Sequence, residues 1–172
     1  MGIIISGLMV ITMLLVASGL MFSTFLDTSM SGAQSLKNLT RSNVSRVGSA
    51  LEINEASFYA GGDTDLTLNM DNTGSQSVVR FGEMDVIVKY TDGGDETVLT
   101  RLGYKVSGLG NNEWTLSVTG VTPDRFNPGI WDSDEKLYID LKVSPAVKSG
   151  TSALVVVGSP WAVSDQTTVV AP

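Results

Sequence analysis

No charged residue occurs from Met1 to Leu26 (MGIIISGLMVITMLLVASGLMFSTFL), and the first charge is Asp27. As a helix, 26 residues at ~1.5 Å each span ~39 Å, more than the ~30 Å hydrocarbon core of a bilayer. Leu8 to Ile11 and Met13 to Val16 are unbroken apolar runs. Such a helix has no polar face, so water is not its resting solvent and it must bury itself in lipid or among helices like it.

The run is too long for a secretory signal core and has no basic residue ahead of it. Two readings stay open: a basic leader has been removed and Met1 opens the mature chain, or Met1 initiates an anchored protein. Lys37, Arg41 and Arg46 beyond the run weakly favour a cytoplasmic C-terminal side. The composition of the C-terminal domain argues the other way.

Residues 27–51 are rich in Ser, Thr and Asn and contain no Pro. Met30, Ala33, Leu36, Leu39 or Thr40, Asn43 or Val44, Val47, and Ala50 or Leu51 still recur at the spacing of three and four that marks an amphipathic helix. The pattern predicts one continuous helix from about residue 2 to about residue 50, apolar all round at first and one-sided later. Asn38-Leu39-Thr40 and Asn43-Val44-Ser45 are N-glycosylation triplets, with Asn38 and Asn43 as acceptors if the segment is exposed outside the cell. Small residues at Gly2, Ser6, Gly7, Ala17, Ser18 and Gly19 would let neighbouring helix backbones approach closely.

From Ile53 the apolar period changes to two. Leu66/Leu68/Met70, Val86/Val88/Tyr90, Trp114/Leu116/Val118 and Leu137/Ile139/Leu141/Val143 each alternate with polar neighbours, as half-buried antiparallel strands do. Ala153–Val157 is continuously apolar and reads as a strand buried on both faces. Turn signals separate these runs, among them Gly61-Gly62-Asp63, Asn72-Thr73-Gly74-Ser75 and Asp92-Gly93-Gly94-Asp95, the last marking a hairpin. Eight strands are expected, at about 54–60, 64–71, 77–82, 84–91, 96–106, 113–119, 136–143 and 153–158, with 166–170 as a candidate ninth. The predicted fold class is α+β: a long hydrophobic N-terminal helix in residues 1–52, then an immunoglobulin-like antiparallel β-sandwich in residues 53–172.

Charge and chemistry narrow the function. Through Glu52 the bases exceed the acids by one, whereas from Ile53 the acids exceed the bases by eight. An acidic outer domain disfavours nucleic-acid binding. With neither His nor Cys, the commonest general base, nucleophilic thiols and thiolate metal sites are all missing, and no phosphate-binding loop is present. No enzyme and no cofactor are therefore expected. Acidic clusters sit in turns at Asp63/Asp65, Asp92/Asp95/Glu96 and Asp132-Ser133-Asp134-Glu135. They read first as solvated turn acids, since the EF-hand spacing fails. If one of them takes Ca²⁺, the candidate ligands are Asp132, Asp134 and Glu135. Trp114 sits on an alternating strand and is expected in the core. Trp131 and Trp161 follow Pro/Gly loops and could form a sugar-stacking surface or, equally, pack at a subunit contact.

The opening MGIIISGLMVITMLLVASGL, the Ser/Thr-rich helical continuation, the Cys-free acidic β-domain and the Asn-Thr-Gly-Ser turn closing Leu66–Ser75 together resemble a mature archaellin, the archaeal flagellin of the type IV pilin superfamily. Bacterial type IV pilins carry Glu at mature position five, whereas Ile5 here favours the archaellin side. The resemblance implies a membrane-stored precursor, removal of a leader, and transfer of the helix by an assembly machinery into the core of an extracellular homopolymeric filament for motility or adhesion. The alternative is a membrane-anchored accessory protein of the same apparatus, stator-like, with a β-sandwich ectodomain.

Overall fold

The computed structural model describes residues 2–59, 62 and 64–172, and the side chains from residue 6 onward. Two compact units are present, Met1–Asn43 and Val44–Pro172. Helix α1 runs without interruption over Gly2–Val47. At ~1.5 Å per residue its 46 residues measure ~69 Å. No proline precedes Pro123, so nothing removes a backbone donor along it. The helix ends beside Arg46, whose charge complements the C-terminal dipole.

The helix gives way to eight strands: β1 (Glu52–Phe58), β2 (Asp65–Asp71), β3 (Asp85–Thr91), β4 (Thr97–Tyr104), β5 (Glu113–Thr122), β6 (Lys136–Lys142), β7 (Ser152–Gly158) and β8 (Ser164–Val170). Their order is β1-β2-β6-β5-β4-β3-β7-β8. The junction between β5 and β4 is a parallel pairing of only two residue pairs, Gly103 with Glu113 and Tyr104 with Trp114. There the sheet folds over into two layers, β1-β2-β6-β5 and β4-β3-β7-β8. Lettered in chain order, these are the ABED and C′CFG sheets of an immunoglobulin-like sandwich. On the far side β1 lies beside β8, and the Ile53 N–H donates to Asp165 Oδ2 at 2.8 Å. Both sides of the sandwich are thereby closed, which blunts the exposed strand edges that invite unwanted pairing.

The alternating residues fill the space between the sheets. Leu66, Leu68, Met70, Val86, Val88, Leu137, Ile139, Leu141 and Val143 have no exposed surface at all. The hairpin at Asp92–Asp95 forms as expected: Asp92 Oδ1 accepts from the N–H groups of Gly94 (2.8 Å) and Glu96 (2.9 Å).

Three expectations need correction and one candidate is borne out. Residues 77–82 are not a strand: Val78 makes a single bridge to Trp131, and Phe81–Glu83 turn into a 3-10 helix that buries Phe81. The candidate ninth strand is real and becomes β8. Val118 is fully exposed, because β5 bulges between Leu116 and Val121, with Gly120 at φ +56°, and the alternation loses phase there. β7 is buried on one face only, since Leu154 and Val156 stay half-buried on the other. Of the turn at 61–63, only Gly62 lies within the described residues, its N–H donating to the Tyr59 carbonyl at 2.9 Å.

Candidate functional site

Two features stand out: the uncovered helix and the turn that grips the chain just after it. From Leu8 to Phe25 the large apolar side chains of α1 are each 57–75% exposed. The helix is long and apolar enough to cross a membrane. Three of its threonine hydroxyls are satisfied within the helix. Thr12, Thr24 and Thr28 donate to the carbonyls of Leu8, Leu20 and Thr24 at 2.8, 2.9 and 2.8 Å. That back-bonding gives each of these hydroxyls a partner on its own helix.

The small residues are spread over more than one face. Gly7 and Ser18 lie eleven positions, or about three turns, apart, and so share a face. Ser6 and Ala17 repeat that spacing on the adjacent face. A Cβ added at Gly7 or Gly19 would meet nothing within 4 Å. Ala17 lies in a shallow groove lined by Met9, Thr12, Met13, Val16 and Leu20. Gly2 lies in the helix, but its surroundings fall outside the described side chains. Asn38 and Asn43 are exposed on α1.

The grip on the chain after α1 is made by the Asn-Thr-Gly-Ser turn. Ser75 N and Gln76 N donate to the Gly48 carbonyl at 2.7 and 3.2 Å, and Gly74 N donates to the Ala50 carbonyl at 3.1 Å. Asn72 holds the turn: its Nδ2 donates to the carbonyls of Gln76 (2.9 Å) and Trp131 (3.2 Å), and its Oδ1 accepts from Gly74 N (3.1 Å). The hydroxyls of Ser49 and Ser159 meet at 3.2 Å, both buried. The turn is visible in the sequence as a turn. Its role as a clasp is not, because the partners lie about 25 residues upstream.

The acidic loop is structural. The Glu135 carboxylate, 3% exposed, accepts from the backbone N–H groups of Arg125 (3.1 Å) and Asp132 (3.0 Å). Hydrogen bonds from Ser77 and Asn127 hold the Asp132 carboxyl below its ordinary range. Asp134 is exposed at φ +63°, its N–H donating to the Asn72 carbonyl at 2.9 Å. The three acids do not converge, and among the described residues no group of three or more His, Cys, Asp or Glu is placed to hold a metal ion. Trp114 and Trp131 have no exposed surface, and the Trp131 indole N–H donates to the Glu135 carbonyl at 2.8 Å. Trp131 is therefore core rather than a subunit contact, while Trp161 packs half-buried against that core. Elsewhere, a hydrogen bond from Lys105 and another from the Gly110 N–H hold the Glu113 carboxyl below its ordinary range. The bond that Tyr59 donates to Asp140 raises its phenol.

A long apolar helix leading into an ABED/C′CFG sandwich is an archaellin-like fold. No family model and no curated protein matches the chain. Among solved structures, the archaeal flagellum of Methanospirillum hungatei strain JF1 is similar over 97% of this chain and 92% of its own, at 12% identity and a TM-score of 0.65. The archaellum periplasmic stator protein FlaG from Sulfolobus acidocaldarius is similar over 70% of this chain and 98% of its own, at 15% identity and a TM-score of 0.51. The stator complex of FlaF and FlaG from the same organism matches over 69% of this chain and 86% of the other, at 14% identity and a TM-score of 0.50. At these identities the fold is what is shared.

Proposed function

We propose that this chain is the structural subunit of an extracellular, archaellum-type filament, assembled by packing of its N-terminal helices against those of identical copies. The observation that carries this reading is an uncharged stretch of helix up to Leu26 with every described side chain uncovered, in a chain similar over 97% of its length to an archaeal flagellum. Burying such side chains is worth roughly 1.5–3 kcal/mol each, ample to hold a subunit in a lipid-free bundle. Lipid and a helix core are interchangeable apolar solvents, so an assembly machinery can move the helix from a plasma-membrane precursor into the filament at little net cost. Residues 1–52 then form the core and 53–172 the outer shell, with a role in motility or adhesion. The role is structural, with no catalysis and no resident cofactor. Asn38 and Asn43 are the proposed glycan acceptors.

A second reading, a membrane-anchored stator-like accessory protein, draws on the likeness to FlaG and the FlaF–FlaG complex. The two separate when surface filaments are sheared from cells and identified by mass spectrometry. Abundant filaments made of this chain support the first reading. A chain found only in the membrane fraction, with filaments made of something else, overturns it.

A further inference from the structure

The two sheets present different chemistry outward. On the β1-β2-β6-β5 face the paired outward positions carry the acids Glu52, Glu55, Asp65, Asp71, Glu113 and Asp140. Three lysines answer them, Lys105 at 3.1 Å from Glu113, Lys142 at 3.3 Å from Asp65 and Lys136 at 3.8 Å from Asp71. No aliphatic side chain stands among these positions, and the net charge is clearly negative. On the β4-β3-β7-β8 face the register aligns Arg101, Ile87, Val156 and Gln166 in one row, and Leu99, Lys89, Leu154 and Thr168 in the next. Leu99 is 70% exposed and Val170 61%. The charges on this face are Lys89, Arg101 and Asp85, the last accepting from Arg101 Nε at 2.7 Å. Apart from Val118 at the β5 bulge, the outward aliphatic positions of the two sheets lie on this face, which is slightly positive within a strongly acidic domain.

We infer that the β4-β3-β7-β8 face is a contact surface, and that its occupant is the acidic β1-β2-β6-β5 face of a second copy. The inference rests on the filament reading. Charge complementarity selects this pairing: two copies of the apolar face would set Lys89 and Arg101 against themselves, whereas the acidic face welcomes both. A contact between unlike faces is heterologous and continues from copy to copy without closing on itself, as a filament requires. Four strands ~4.8 Å apart and seven residues of ~3.3 Å make a footprint of roughly 19 by 23 Å. That is about half the ~800 Å² per partner of a free-standing complex. The contact therefore reinforces a polymer already joined through its helices, where tethering raises the effective concentration of the partner face.

The chain contains no cysteine, so introduced thiols are the only ones present. Leu99→Cys and Thr115→Cys are made singly and together, and sheared filaments are treated with a short bis-maleimide. The double variant is expected to give a ladder of dimers, trimers and longer chains on denaturing gels, while each single variant stays monomeric. Lys89→Glu is expected to make filaments fragment at lower temperature, and adding Glu55→Lys to restore them. Intact filaments from the double variant that yield only monomer, or dimers from Leu99→Cys alone, overturn the pairing while leaving the filament reading standing. If none of the chains, the unmodified one included, is found in filaments, the filament reading fails and takes the pairing with it.

Discussion

Gly74 is the position where one added methyl group should do the most damage. A Cβ there would lie 2.4 Å from Ala50 N and 2.5 Å from the Gly48 carbonyl oxygen. Both are backbone atoms, so no side chain can swing aside, and either the turn or residues 48–50 must move. Forcing extra volume into a packed site costs about 1–3 kcal/mol. Moving the strands of the clasp apart also puts at risk the bonds from Gly74 N to Ala50 and from Ser75 N and Gln76 N to Gly48. Each is worth about 0.5–1.5 kcal/mol net. Losing one or two of them brings the expected cost of Gly74→Ala to about 3 kcal/mol. At roughly 4 °C per kcal/mol for a unit of this size, the melting temperature should fall by about 10 °C. All three tryptophans, Trp114, Trp131 and Trp161, lie in the sandwich. Their fluorescence in a thermal melt of the detergent-solubilised chain therefore reports this unit and not α1. Gly93→Ala is the control, since a Cβ there meets nothing within 4 Å and its φ is not positive. It should stay within about 0.5 kcal/mol of the parent, as ordinary surface changes do. A Gly74→Ala melt as close to the parent as that of the control would refute the clasp.

Ala17→Phe should fill the groove on α1, leaving the tryptophan melt unchanged while reducing filament yield severalfold. Normal filament yield from this variant would mean that copies do not pack through that groove. Glu135→Ala should cost about 1–3 kcal/mol, because the N–H groups of Asp132 and Arg125 lose their acceptor. Glu135→Gln keeps one carbonyl oxygen and should cost less, and equal melting temperatures for the two variants would contradict this. Glu113 and Asp132 are both held below the ordinary carboxylate range. Their contribution is present above that range and is lost as pH falls through the lowered folded values. Chemical denaturation repeated from pH 7 down to pH 2 should show stability falling on the acid side. Asp132→Asn should flatten part of that slope, and an unchanged slope would rule out Asp132 as a source.

The helix and most of the strands could be read directly from the chain. An uncharged run of 26 residues leaves no alternative to burial among apolar neighbours, whatever the rest of the molecule does. The period-two runs at 66–70, 86–90 and 137–143 likewise state which residues face the core, because alternation along a strand is local geometry. The segment at 77–82 misled because Val78, Val79 and Phe81 suit a short strand by residue type, although the backbone makes a single bridge at Val78 and then turns into a 3-10 helix at Phe81–Glu83. Val118 misled because the β5 bulge shifts the phase through a residue count rather than a residue type.

The acidic loop shows the same divide. Three acids in four positions name a candidate ligand set on paper. Folding points the Glu135 carboxylate at backbone N–H groups and ties Asp132 to Ser77 and Asn127. Composition and periodicity, which act over a few residues, determined the apolar helix, the strand faces and the absence of histidine and cysteine chemistry. Only the tertiary structure decided that Gly74 sits against the backbone of residues 48–50, that Trp131 fills the core, and that the two sheets turn different faces outward. Each of those depends on segments far apart in sequence, brought within a few ångströms by strand order, and no local pattern encodes that order.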